Sequence, residues 1–265
     1  VVAACTLDAG QASPAVSLYV TLDEATLEIK RHETRLERVA VAANLRHDQL
    51  DGLITEEWLT APAQKQDEPQ DEQPGLPMPR QTLAFLYRLA LHLKAQREAV
   101  RGKPENFSRP DYSFALEGTD GVAAPALPTG SERVRITQRQ RGAPLDLIVA
   151  EAMILANSTW GQWLASLGVP AIYRSQASLA PGIKVRMGVK ALPHAGIGVP
   201  SYAWSTSPLR RYVDLINQMQ LVAVLEAEVP PFTMNDTSLY AIVSAFEARY
   251  GTVGEYQQTM ERYWC

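Results

Sequence analysis

The sequence predicts an α+β fold, with antiparallel strands in the first third and again at 110–140, packed by long helices. Three observations predict it. Residues 17–41 alternate β-branched or apolar side chains with charged ones, the period of a strand with one face buried. Residues 81–101 return an apolar side chain every three or four positions, the period of an amphipathic helix. Residues 145–167 are apolar on nearly every side, as a helix covered all round must be.

Taken in order, 17–41 reads as a β-hairpin that turns near Asp23–Ala25. A short helix-like piece follows at His47–Ile54. The stretch 61–80 combines Pro, Gln and acids with almost nothing to bury, and reads as a flexible surface insertion. The 81–101 helix turns Leu83, Leu86, Leu89, Ala90 and Leu93 to one side, most simply as core. Tyr112–Leu116 and Val134–Thr137 are strand candidates around a Gly-rich turn, EGTDG. Pro144 opens the apolar helix Leu145–Leu167, in which Glu151 is conspicuous. Three further helices are predicted at 207–227, 236–250 and 252–264, separated by PPF and a Gly.

A chain of 265 residues, 46% hydrophobic, buries a sizeable core as one large or two small domains. Its net charge of −4 and pI near 5.7 argue against a wholly basic binder. The mean hides an asymmetry. From Ala152 to Val213, 62 residues, there is no Asp or Glu, while Arg174, Lys184, Arg186, Lys190, Arg210 and Arg211 remain. Cys5 and Cys265 sit at opposite ends without disulfide or metal spacing, so a reducing compartment, the cytoplasm, is expected. No run of 18 apolar residues offers a membrane span, and no partner membrane is expected. Both ends have the look of cut edges of a longer chain.

The stretch STSPLRRYVDL (205–215) reads as a helix start, with Ser207 as N-cap and Pro208 in the first turn. Arg210 and Arg211 then stand where the helix dipole favours acids. Two readings compete. Arg210 pairs with Asp214 at i,i+4 and Arg211 faces solvent, which is worth only about 0.3–0.5 kcal/mol. Alternatively, the helix N-terminus and both guanidinium groups bind phosphate, a reading that gains from the carboxylate-free stretch around them. Tyr202, Trp204 and Tyr212, with Tyr173 and Phe107 further off, offer stacking faces for unpaired bases, though each taken singly fits a core aromatic. Glu151 reads most simply as the partner of a nearby Arg. His32, His47, His92 and His194 show no ligand spacing, and no G-x-S-x-G, Walker loop or H-E-x-x-H occurs.

LIVAEAMILAN (147–157), AIYRSQ (171–176) and YAWSTSPLRRYVDLINQMQL (202–221) together resemble the ribonuclease II/R family of RNB-domain 3′→5′ exoribonucleases. RPDYSF (109–114) and MERYW (260–264) follow the same order. The resemblance covers nearly all of the chain and implies that residues 1–265 are the C-terminal portion of an RNB catalytic domain. The implied reaction is processive hydrolysis of single-stranded RNA from its 3′ end to nucleoside 5′-monophosphates, with Mg²⁺, by a monomeric protein. Arg210 matches the family's catalytic arginine and Glu261 an acid near the RNA 3′ end. Ser207, Arg211, Tyr202, Arg174 and Glu151 fall to substrate binding, as does Phe107, the candidate for stacking on terminal bases after a one-residue shift.

The chain departs from the family pattern at several places. Ala150 stands where the family helix begins with the first of two acids, and His47 where an RNA-favouring tyrosine stands. No D-x-D-D-like segment occurs, so the Mg²⁺ ligands are expected outside these residues, together with N-terminal RNA-binding modules and a C-terminal OB-type domain. The fragment alone is expected to be inactive. The alternative is an RNB-like protein that binds RNA or acts as a scaffold without cutting.

Overall fold

The computed structural model describes residues 5–45, 50–61, 76, 78–105, 111–118, 130–139 and 142–264. Phe107, His47 and most of the 61–80 insertion lie outside the described residues. The architecture is mixed helix and antiparallel strand, as the sequence predicts. β1 (Ala12–Leu22) pairs antiparallel with β2 (Ile29–Ala40), Val16 facing Leu36 and Leu18 facing Thr34. Their turn is set by Asp23, whose Oδ1 accepts the N–H groups of Ala25 and Thr26 at 3.0 and 3.1 Å. β3 (Asp111–Glu117) and β4 (Arg133–Arg139) form a second two-stranded sheet, Phe114 opposite Ile136.

The helices before the site are α1 (Glu56–Thr60), α2 (Arg80–Arg101) and α3 (Pro144–Ser166). α2 ends at Gly102, whose φ of 71° is the left-handed conformation a glycine adopts without Cβ strain. Ile54, Leu59, Leu83, Tyr87 and Leu145 bury against one another where α1, α2 and α3 meet. The far half of α3 receives the first hairpin: Trp160 buries its ring and its Nε1 donates to Thr34 Oγ1 at 3.1 Å.

Beyond α3 the chain forms a short pair, β5 (Tyr173–Ser175) with β6 (Arg186–Gly188), and Ala203 adds a bridge to Tyr173. Gly161 lets α3 approach this layer. A Cβ there would stand 3.2 Å from both Ala203 Cβ and Tyr173 Cε1. Two helices close the fold, α4 (Tyr212–Leu225) and α5 (Thr237–Trp264). Val213 and Ile216 of α4 pack with Leu239 and Val243 of α5 and with Ile172 and Trp204. Among the described residues no helix is long and apolar enough to cross a membrane.

The structure corrects two predicted boundaries. The helices predicted at 236–250 and 252–264 are one, α5, which runs through Gly251 and Gly254. Neither glycine has a positive φ, so neither turns the chain out of the helix. The helix predicted from 207 begins instead at Tyr212, because Arg211 is extended (φ −127°, ψ 116°). Ser207–Arg211 form a separate turn in which the Arg210 and Arg211 N–H groups both donate to Ser207 O, at 3.2 and 3.0 Å.

Candidate functional site

The segment Ser201–Arg211 carries most of the residues singled out from sequence, and it is held by polar side chains that are themselves buried. Asn157 of α3 accepts Ser205 N–H at 2.8 Å and donates to Thr206 Oγ1 at 3.3 Å. Asn217 of α4 donates to Trp204 O at 2.6 Å and to Ile172 O at 2.9 Å, and accepts Ile172 N–H at 2.7 Å. Gln218 donates to Ser205 O at 2.8 Å. Asn157 and Asn217 are 1% and 0% exposed; the Asn217 amide spends its capacity on buried backbone, and the Asn157 amide divides its own between Ser205 N–H and the hydroxyls of Tyr202 and Thr206.

Asp214, in the first turn of α4, completes the clamp. Its carboxylate is fully buried, accepts Ser207 N–H at 2.9 Å, and takes Arg211 Nε and Nη2 at 2.8 and 2.7 Å. Ser207 is therefore not an N-cap with Pro208 in the first helical turn; its Oγ accepts Arg210 Nη2 at 3.3 Å. The roles of the two arginines are the reverse of the i,i+4 expectation, since Arg211 pairs with Asp214 while Arg210 is exposed on the turn. Among the described residues Arg210 makes no ion pair. An anion site here is built from side chains on a braced turn rather than from a helix N-terminus.

Trp204 joins a second cation to the first. The guanidinium carbons of Arg174 and Arg211 each lie 4.1 Å from the centre of its ring. Tyr250 of α5 meets the same indole edge to face at 5.6 Å, and Phe246 stacks on Tyr250 at 5.6 Å. Burial lowers the Arg174 pKa, with the Arg211 charge adding to it and Tyr250 and Tyr202 opposing it. The group remains a cation.

Two residues expected to bind substrate prove to be internal. Tyr202 is 8% exposed, packs in the core, meets His194 edge to face at 6.0 Å and accepts Asn157 Nδ2 at 3.3 Å, so it has no open face for a base. Tyr173 is likewise core. Glu151 is 2% exposed and is engaged bidentately by Arg97 of α2, Nε to Oε2 at 2.9 Å and Nη2 to Oε1. Arg97 also reaches Glu105 at 3.2 Å and Ile197 O at 2.6 Å. Burial alone would lower the Arg97 pKa, but the two carboxylates overcome it and hold it above the ordinary value. A largely apolar groove of about 790 Å³ between α2 and α3, lined by Leu83, Tyr87, Leu145 and Ile148, reaches Arg97 and Glu151 and not the arginines of the turn.

Glu261 stands apart as well. It accepts Gln257 Nε2 at 3.2 Å on α5, about 16 Å along the helix from Tyr250. No hydrogen bond or ion pair among the described residues joins it to Arg210. Among the described residues no group of three or more His, Cys, Asp or Glu is placed to hold a metal, so Mg²⁺ has no ligand set there. Sequence reasoning missed Asn157, Asn217 and Asp214 as braces; their signal was polar residues at core positions of helices.

Comparison with known proteins places this arrangement. Over 141 residues the chain is 31% identical to the uncharacterized ribonuclease sll1290 of Synechocystis, covering 44% of this chain and 21% of that protein. The chain therefore spans about a fifth of that relative's length. Its fold resembles the Dss1 exoribonuclease of Candida glabrata, with a TM-score of 0.71 and 20% identity over 97% of this chain and 35% of that one. It also resembles yeast Ssd1, a pseudonuclease, with a TM-score of 0.55 and 18% identity over 92% of this chain and 32% of that one. At those identities the likeness is one of fold. The family model for the RNB domain matches residues 1–186 and 183–227, most of the chain and the whole of the braced turn, and on that match the chain belongs to the RNB-domain family.

Proposed function

We propose that the protein carrying this chain is a 3′→5′ hydrolytic exoribonuclease that removes nucleoside 5′-monophosphates processively from single-stranded RNA. The observation that carries this reading is the exposed Arg210, without a carboxylate partner among the described residues, on a turn fixed by Asp214, Asn157, Asn217 and Gln218. In hydrolysis of the terminal phosphodiester, water adds to phosphorus and the 3′ oxygen of the preceding nucleotide leaves. Negative charge grows on the non-bridging oxygens, and a guanidinium held beside them stabilises it without reorganising. Ser207 Oγ, hydrogen-bonded to Arg210, orients that side chain. Arg211 is neutralised by Asp214 and shapes the turn, and Glu261 is assigned the acid near the RNA 3′ end.

The described residues provide no Mg²⁺ ligand set, and activation of the water is assigned to none of them. We place the metal-binding aspartates outside these 265 residues. A second reading, an RNB-like protein that binds RNA without cutting it, is favoured by the fold likeness to the pseudonuclease Ssd1 and by Ala150 at the family's acid position. The full-length protein, incubated with 3′-labelled single-stranded RNA and Mg²⁺, separates the two. Release of monophosphate by the wild type and its loss in Arg210→Ala support hydrolysis; tight binding by the wild type without release sinks it.

A further inference from the structure

We propose that Trp204 is a positioning residue: its indole holds Arg174 as the contact for a second backbone phosphate of the RNA, next to the phosphodiester at Arg210. This rests on the reading of Arg210 given above and extends it to a residue without a charge of its own.

The inference starts from an imbalance. Arg174 and Arg211 share one ring, so two cations are neighbours on Trp204. Asp214 neutralises Arg211, whereas Arg174 makes no ion pair and no side-chain hydrogen bond among the described residues. A half-buried guanidinium without an anion is costly, because lost hydration is not replaced by a carboxylate. Arg97 shows the usual remedy in this molecule, two carboxylates and a carbonyl.

Around Arg174 the chain supplies aromatics instead: Trp204 under its guanidinium, with Tyr202 and Tyr250 close enough to act on its charge. An aromatic face restrains a guanidinium while leaving its five N–H donors available in their plane. The guanidinium nitrogens of Arg174 are not sealed from solvent, and the residue is half-buried. A planar fork with free donors, sharing the Trp204 ring with the residue that follows Arg210 in the chain, in a 62-residue stretch without Asp or Glu, suits the repeating phosphates of a single strand. Trp204 thus gives its ring to cations rather than to bases. It is 4% exposed, which leaves no face on which a base would stack.

The test measures binding of a fluorescent single-stranded oligoribonucleotide to the full-length protein without divalent metal, across a salt series. Arg174→Met is expected to reduce the slope of log affinity against log salt by about 0.7 and to weaken binding about fivefold at 0.1 M salt. Trp204→Leu, which keeps every charge, is expected to give the same fall in slope, and Trp204→Phe to restore most of it. A full slope in Arg174→Met overturns the proposal, as does a full slope in Trp204→Leu. If Trp204→Leu does not fold by circular dichroism, the Arg174→Met slope decides the phosphate contact and Trp204→Met, which also lacks the ring and keeps every charge, decides the platform by the same fall in slope. The two readings fail separately. A wild type that binds RNA with this slope pattern yet releases no monophosphate removes the hydrolytic reading alone. Loss of cleavage in Arg210→Ala with an undiminished slope in Arg174→Met removes this proposal alone.

Discussion

Two regions of this molecule handle arginine in opposite ways. At the crossing of α2 and α3, Arg97 is surrounded by Glu151, Glu105 and Ile197 O, so its charge and donors are met inside the chain. At the 204–211 turn, Arg174 and Arg211 share the Trp204 ring and Arg210 precedes Arg211 in the chain, and the carboxylate of Asp214 pairs with Arg211 alone among them. A compensated buried arginine is part of the fold's internal accounting of charge, and its removal exposes a fault in the core. An uncompensated one keeps its donors open to an anion from outside the chain. The number of charges does not separate the regions; where the counter-charge comes from does.

The comparison breaks most readily at Glu151. Glu151→Ala leaves Arg97 buried with only Glu105, and the expected loss is about 3–5 kcal/mol of stability, read from denaturant midpoints. A wild-type midpoint would mean that Arg97 is not holding α2 to α3. Arg210→Ala is the mirror case. It removes an exposed side chain bonded only to Ser207, so stability is expected to move by no more than about 0.5 kcal/mol while cleavage falls about 10²–10³-fold. Equal losses of stability in the two variants would erase the distinction between the regions.

Asp214 tests the boundary between them, being a buried acid in the first turn of α4 that braces the Ser207–Arg211 turn. Asp214→Asn keeps the shape but surrenders the charge-assisted bonds to Arg211 and weakens the hold on Ser207 N–H. The expected cost is about 1.5–3 kcal/mol of stability. Cleavage should fall further than that loss of folded protein explains, because the turn that aims Arg210 loosens. A variant that is destabilised but cleaves normally once folded would confine Asp214 to the fold.

Much of this was legible in the sequence. Periodicity found the first hairpin and the amphipathic α2, and apolar content found α3, but α3 is not covered all round as expected: Val149 is exposed, and Glu151, Asn157 and Ser158 are among its buried residues. The absence of acids over Ala152–Val213 pointed to the arginine-rich turn, and the family motifs identified the RNB domain. The start of α4 was misjudged because Ser-Pro followed by apolar residues is a local helix signal, whereas the observed turn is decided by Asp214 and Asn157, which close on it from α4 and α3. Tyr202 and Trp204 look alike in sequence as candidate stacking faces. Only tertiary structure shows that both pack in the core and that Trp204 alone of the two carries two cations.

His194 lies between the two regions, and its titration shows whether they are mechanically joined. Its Nδ1 accepts Ile197 N–H at 3.2 Å, Ile197 O accepts from Arg97, and its ring meets Tyr202 beside Arg174. Gly198, at φ +81°, packs so closely on Arg97 that a Cβ would run into its carbonyl, so the loop has little slack. Burial, and then the charge of Arg174, push the His194 pKa down to about 4, and the ring is neutral at pH 7 with Nδ1 as acceptor. The unfolded chain takes up this proton near pH 6.5 and the folded one only near 4, so stability from this group is complete above 6.5 and is lost as pH falls between those values. From pH 6.5 to 5.5 the loss is expected to be about 1 kcal/mol. Denaturation of the wild type and His194→Gln at both pH values reads it: the wild type should lose that increment and the variant should not. Parallel losses in the two would mean that protonation elsewhere governs the acid side, and that the loop joining Arg97 to the arginine cluster does not depend on a neutral His194.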